Sequence, residues 1–122
     1  MIEKNSFSGE DFKVVKEFEG WKVGFLRYSE RFSSFSQLER HLKTDESFVL
    51  LEGTATLYTE DEKVNMEKCV IYSVPTGIWH HITVSRNATV MVVENSDTKS
   101  ENTERRIISD AQKKGCDNYA DK

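Results

Sequence analysis

A chain of 122 residues, 37% of them apolar, is long enough for one domain with a real core and too short for a second. A formal charge of −4 and a pI near 5.4 give no basic field, which argues against nucleic acid and anionic membrane surfaces as partners. No apolar run approaches a membrane span, and the stretch MIEKNSFSGEDF has neither a basic nor an apolar leader segment, so a soluble, cytoplasmic protein is expected.

The polar residues 1–11 read as an arm. Phe12 to Phe18, with Phe12 and Val14 alternating, predicts a first strand. In Trp21 to Tyr28, Trp21, Val23, Phe25 and Arg27 share one face, and Lys22, Gly24, Leu26 and Tyr28 the other. If the first face is interior, Arg27 can hold a substrate carboxylate bidentately; otherwise it is a strand-end arginine reaching solvent. Glu30 to Ser36 is polar and serine-rich, with Phe32 and Phe35 inside it, and leads into ERHLKTDESFVLLEG, residues 39–53. There Glu39 and His41 point the same way on an extended chain, and Glu46 opens Phe48 to Leu51. That run is apolar on both parities and must be covered on both faces.

Thr54 to Thr59, a turn at Glu60-Asp61-Glu62, and Lys63 to Met66 predict a hairpin. Cys69 to Val74 and Ile78 to Val84 follow, joined by a tight turn at Pro75-Thr76-Gly77 that delivers His80 to the second strand. Thr89 to Glu94 is the last predicted strand. Short strands spaced by turn signals, with no helical repeat, predict an all-β sandwich or barrel of jelly-roll type. Residues 1–95 form that barrel with its arm, and residues 96–122 a polar linker and C-terminal tail, in which Ile107 to Lys114 could make a short helix stopped by Gly115. Cys69 and Cys116 lie far apart and in no C-x-x-C spacing, so both read as free thiols, Cys69 as a packed one.

Glu39, His41, Glu46 and His80 can converge on one point, and imidazole with carboxylate suits a divalent Mn, Fe, Ni or Zn. Each also has a plainer reading: Glu39 as an exposed strand residue, His41 as a satisfied strand-end group, Glu46 as turn acidity beside Asp45. His81 and Trp79 have the opposite parity to His80 and are expected to face away. Phe25, Phe48, Leu50 and Ile82 would line the cavity, with Tyr72 among the tyrosines able to supply a polar head.

These positions resemble the two motifs of a small single-domain cupin. His41 precedes Glu46 with four residues between, Gly53 follows Glu46 after six, and His80 stands two residues beyond Pro75-Thr76-Gly77, all as in that family. Three positions depart from it: Glu39 where the pattern has a first histidine, Cys69 where it has a glycine, and Val84 where it has an asparagine. The resemblance implies a double-stranded β-helix, a metal held by Glu39, His41, Glu46 and His80, a small-molecule ligand and a homodimer. It implies a metal-binding protein acting on or binding a small carboxylate or amide, with a non-catalytic ligand-binding module as the alternative. A metal-free epimerase style would need a histidine and tyrosine pair, which His80 and Tyr72 could form.

Overall fold

The computed structural model describes residues 1–108 and 120–121. The strands are β1 (Phe12–Phe18), β2 (Trp21–Arg27), β3 (Gln37–His41), β4 (Glu46–Glu52), β5 (Ala55–Thr59) and β6 (Glu62–Asn65). They continue as β7 (Ile71–Val74), β8 (His80–Val84), β9 (Thr89–Asn95), β10 (Thr103–Ile107) and β11 (Ala120–Asp121). Two sheets form, one ordered β1-β2-β9-β4-β7 and the other β10-β3-β8-β5-β6-β11. All pairings are antiparallel except β11 on β6. The all-β jelly roll expected from the strand pattern is the fold observed.

Between the sheets, Leu26, Phe48, Leu50, Val90 and Val92 from one meet Ala55, Leu57, Ile82 and Val84 from the other. Burial of these apolar side chains is what holds the layers together. Two turns set the geometry of the connections. At Pro75 to Ile78 the Ile78 N–H donates to the Pro75 carbonyl (3.2 Å), and Gly77 takes φ +81°, the left-handed conformation that a type II turn needs at its third residue. Gly53, at φ +74°, is glycine for two reasons: a Cβ there would also lie 2.7 Å from the Ala88 backbone.

Strand register puts polar residues in one row of each inner face. Lys22 pairs with Glu94 and Glu94 with Glu46 across β2, β9 and β4. Arg105 pairs with Glu39 and Glu39 with His80 across β10, β3 and β8. Residues paired directly across antiparallel strands share a face, so the apolar core ends against these two rows.

The faces of β2 are the reverse of the interior assignment that would make Arg27 a cavity group. Gly24 and Leu26 are buried while Trp21 is 43% exposed. The outer face misled because it too is apolar: Phe25, Met91, Val49 and Ile71 form one row across the five-stranded sheet. Leu51, expected to be covered from outside, is exposed.

The segment expected as a linker also differs. Asn102 is buried, with its Nδ2 donating to the Asp97 carbonyl (2.7 Å) and its Oδ1 accepting from the Lys99 N–H (2.9 Å). This folds residues 97–102 into a compact turn and starts β10, so a further strand of the six-stranded sheet lies beyond residue 95. Ile107 ends that strand, and the rest of the helix expected from Ile107 to Lys114 falls, after Ile108, outside the described residues, as does Cys116. Cys69 is exposed rather than packed, and is a free thiol. No helix among the described residues is long and apolar enough to cross a membrane.

Candidate metal centre

His41 closes β3 and His80 opens β8, and the proline turn ties them together: the Gly77 N–H donates to the His41 carbonyl (2.8 Å). Asp45 fixes the same turn from the β3–β4 loop, its Oδ1 accepting from the Thr76 N–H (2.8 Å) and hydroxyl (2.9 Å). The sequence pattern thus brings its two segments together through backbone hydrogen bonds. Glu46, first in β4, faces them from the opposite sheet.

Glu46 Oε1 lies 2.9 Å from His80 Nε2 and 3.3 Å from His41 Nε2. Glu39 Oε1 lies 3.7 Å from His41 Nε2. Two overlapping trios, Glu39-His41-His80 and His41-Glu46-Glu94, each bring three donor atoms within 4.8 Å of one another. His41 belongs to both trios, Glu39 and His80 to one and Glu46 to the other, so the expected residues cluster around His41 without all four falling in one group. A fifth, Glu94, joins them.

Each histidine is oriented from behind. His80 Nδ1 lies 2.9 Å from the Ile78 carbonyl, which can only accept, so Nδ1 carries the proton and Nε2 points at Glu46. His41 Nδ1 shares a 2.9 Å hydrogen bond with the Thr103 hydroxyl of β10. Its Nε2 is buried and has no hydrogen-bond partner. A buried imidazole nitrogen without a partner, ringed by three carboxylates and a second imidazole, fits a divalent cation. Backbone or hydroxyl support on the far ring nitrogen is the usual companion of metal-binding histidines.

The electrostatics follow from this packing. Burial works against ionised Glu46, but the facing imidazoles of His41 and His80 and the Glu94 carboxyl outweigh it and hold its carboxyl well below the usual carboxylate range. Burial likewise opposes charge on His41 and His80, yet the Glu46 carboxylate, with Glu39 behind it, raises both. Glu94 goes the other way: burial and then the facing Glu46 anion push it up to about 8, against the pull of His41 and of Lys22, whose Nζ stands 3.9 Å away. The protonated Glu94 carboxyl is therefore a donor to Glu46.

A cavity of about 210 Å³ opens beside the cluster. Phe12, Leu26, Phe32, Phe48, Ile82 and Val92 form its apolar wall, and Arg31, Gln37, Ser100 and Arg105 add polar heads. Of the residues expected to line it, Phe48 and Ile82 do. Leu50 is buried in the core and is not among the lining residues. Arg27 is held elsewhere, by the Thr89 hydroxyl (2.7 Å) and the Gly9 carbonyl (3.1 Å), and Phe25 shares its outward face. Tyr72 lines a separate cavity of about 320 Å³, and its hydroxyl accepts from the Glu67 N–H (2.8 Å), so no His80–Tyr72 pair forms.

His81 is not idle. Its ring is stacked against Phe32 and Phe35, with centroids 6.2 and 6.1 Å away, and its Nε2 donates to the Ser34 carbonyl (3.1 Å). It fastens the 30–36 segment over the barrel, and burial lowers its pKa below the ordinary histidine value. Trp79 does face outward, between the guanidinium groups of Arg40 and Arg106 at 4.6 and 4.8 Å.

Sequence reading missed Glu94, Thr103, Arg105 and Arg31. Glu94 had a signal, since Val90, Val92 and Glu94 share one parity of β9 and the first two are core. Arg105 had none in spacing: only the pairing of β10 with β3 brings its Nε to 3.2 Å from Glu39 Oε2.

No family model and no curated protein sequence matches the chain. Solved structures do. A cupin-2 domain containing protein from Shewanella frigidimarina aligns with a TM-score of 0.62 at 21% identity, over 73% of this chain and 84% of its own. Pac13, described as a unique nucleoside dehydratase, aligns with a TM-score of 0.66 at 12% identity, over 91% of this chain and 97% of its own. Streptomyces Pac13 variants have also been solved with uridine. KdgF from Halomonas sp. aligns with a TM-score of 0.58 at 13% identity, over 69% of this chain and 77% of its own. The fold of this chain is the cupin fold.

Proposed function

We propose that this small cupin-fold protein binds a divalent metal through Glu39, His41, Glu46 and His80 and presents it to a small polar metabolite in the adjoining cavity. The observation that carries the reading is His41 Nε2, buried without a partner where carboxylates and a second imidazole converge. Two imidazoles with two carboxylates suit Mn, Fe, Ni or Zn, and the extra carboxylate in place of a histidine favours the harder Mn and Fe. When bound, such an ion supplies Lewis acidity toward a carbonyl or carboxylate oxygen. The chain's own residues do the rest. Thr103 and the Ile78 carbonyl hold the two rings, Arg105 holds Glu39, and Glu94 keeps a proton beside Glu46. Metabolite-handling neighbours such as the nucleoside dehydratase are compatible with small-molecule chemistry in this barrel.

Elemental analysis of protein purified without a metal-affinity step, beside a His41→Ala, His80→Ala double variant, tests the reading. Near-stoichiometric Mn, Fe, Ni or Zn in the parent and none in the variant is expected. No metal in the parent, even after reconstitution with each ion, would sink it. That result would favour a non-catalytic ligand-binding barrel, for which the Glu46–His80 hydrogen bond, complete without an ion, is the supporting observation.

The protein is further proposed to work as a homodimer through the outer face of the five-stranded sheet. Support comes from the row Phe25, Met91, Val49 and Ile71, in which Ile71 is 70% exposed. Sedimentation equilibrium should give twice the 14.1 kDa chain mass, and Ile71→Glu should return the monomer. A parent that sediments at the chain mass excludes the dimer.

A further inference from the structure

The cavity carries one cation that the metal cluster does not use. Arg31 lines it, in the middle of the short 3-10 turn Glu30–Phe32. Its guanidinium stacks on the Phe32 ring, 4.4 Å from the centroid, and its Nη2 is tied to Asp11 Oδ2 at 3.2 Å. Asp11 is itself fixed, since its Oδ1 accepts from the Ser29 hydroxyl (2.8 Å). Phe32 is in turn stacked on His81. The group is therefore held in one orientation before any ligand arrives. Asp11 takes one of its donors, and the side chain remains 36% exposed, so a preorganised guanidinium with donors to spare lines the cavity, as a planar, two-oxygen acceptor needs.

We infer that the ligand of this cavity carries a carboxylate, and that Arg31 is the residue that binds it. The inference rests on the cavity being the ligand site and chooses a carboxylate over an amide. An amide would bring a donor as well as an acceptor to a group made only of donors. A phosphate is a poorer match, because its second negative charge would face Glu39 and Glu46 on the same cavity wall, with only the Arg31 guanidinium, already partnered by Asp11, to offset it. Arg105 does not compete for the role, since its Nε is already engaged by Glu39. Arg27 is excluded by its position outside the cavity.

The test is titration calorimetry on the full chain, both Mn²⁺-loaded and chelator-stripped, with pyruvate, glycolate, malonate and succinate as probes. Malonamide, succinamide and inorganic phosphate serve as controls. At least one acid should bind the parent, its amide should bind at least tenfold more weakly, and phosphate should bind more weakly than the acid. Arg31→Gln should lose at least tenfold in affinity for that acid, Arg31→Lys should fall between, and Arg27→Gln should match the parent. Each variant is first checked for an unchanged circular dichroism spectrum and thermal midpoint, with Arg31→Lys carrying the comparison if Arg31→Gln is unstable. Equal affinity in the parent and the Arg31 variants, tighter binding of phosphate or an amide, or no binding by any acid would overturn the inference. The Arg31 dependence is read in the stripped protein as well, so a site that binds acid without ever taking up Mn²⁺, Fe²⁺, Ni²⁺ or Zn²⁺ would defeat the metal reading and leave this one standing.

Discussion

Glu46 on β4 and Glu94 on β9 stand directly opposite each other on the inner face of one sheet. Two like charges in that position repel, and both are buried, so the pair keeps one proton and places it on Glu94. The two carboxylates are consequently unequal in what their loss should cost. Glu94→Gln preserves a donor toward Glu46 and should change stability by no more than about 1 kcal/mol near neutral pH. Glu46→Gln removes the anion that His41 and His80 both face and should cost about 2–4 kcal/mol. Urea denaturation of the two variants beside the parent measures the difference, and equal losses would show that the charge is not localised on Glu46.

Metal binding should be pH-dependent, and the sign follows from the two histidines. The ion and protons compete for the same ring nitrogens. His41 and His80 have pKa values raised above the ordinary histidine value, so their rings keep to higher pH the protons that a metal must displace. Affinity for Mn²⁺ should therefore rise from pH 6 to pH 8.5, with protons released on binding. Calorimetry in buffers of different ionisation enthalpy counts those protons. An affinity flat over that range would mean that neither histidine ligates.

Much of this arrangement could be read from residue order because it depends on local chemistry. The turn at Pro75-Thr76-Gly77 needs glycine at its left-handed position, and the alternation within β4 puts Glu46, Phe48 and Leu50 on one face. What could not be read depends on which strands become neighbours. Residue order leaves open which face of β2, that of Phe25 and Arg27 or that of Gly24 and Leu26, is interior, and only the burial of Gly24 and Leu26 decides the matter. Arg105 and Thr103 reach Glu39 and His41 across a pairing between β10 and β3 that closes more than sixty residues of chain. Glu94 is legible only in the parity of β9, where it follows Val90 and Val92 on the core face, and it lies outside both spaced motifs.

His81 should make the fold sensitive to acid. Burial lowers its pKa in the folded protein below the 6.5 expected of the unfolded chain. The unfolded state therefore takes up this proton first as pH falls, so the stability His81 contributes is full above pH 6.5 and shrinks below it. His41 and His80, with raised values, act in the opposite sense and offset part of the slope. His81→Phe keeps an aromatic ring near Phe32 and Phe35 but loses the hydrogen bond to Ser34, so at pH 8 it should be less stable than the parent by about 1–2 kcal/mol. That deficit should narrow between pH 6.5 and pH 5. A deficit that is constant or widens over this interval would show that His81 is protonated in the folded state.

Cys69 offers a test of the backbone alone. It adopts φ +65°, a left-handed conformation unfavourable to a residue with a Cβ, at the position where the cupin pattern has a glycine. The side chain is exposed, and the residue's hydrogen bond is made by its N–H, which donates to the Leu50 carbonyl at 3.3 Å. Glycine can make the same bond. Relief of left-handed strain is worth about 1–2 kcal/mol, and the extra freedom of glycine in the unfolded chain takes back about 0.4–1 kcal/mol. Cys69→Gly should therefore stabilise the protein by about 0.5–1 kcal/mol, while Cys69→Ala, which keeps the Cβ, should leave it unchanged. Thermal denaturation under reducing conditions compares the three. A glycine variant no more stable than the alanine variant would mean that the left-handed backbone at this position costs the fold nothing.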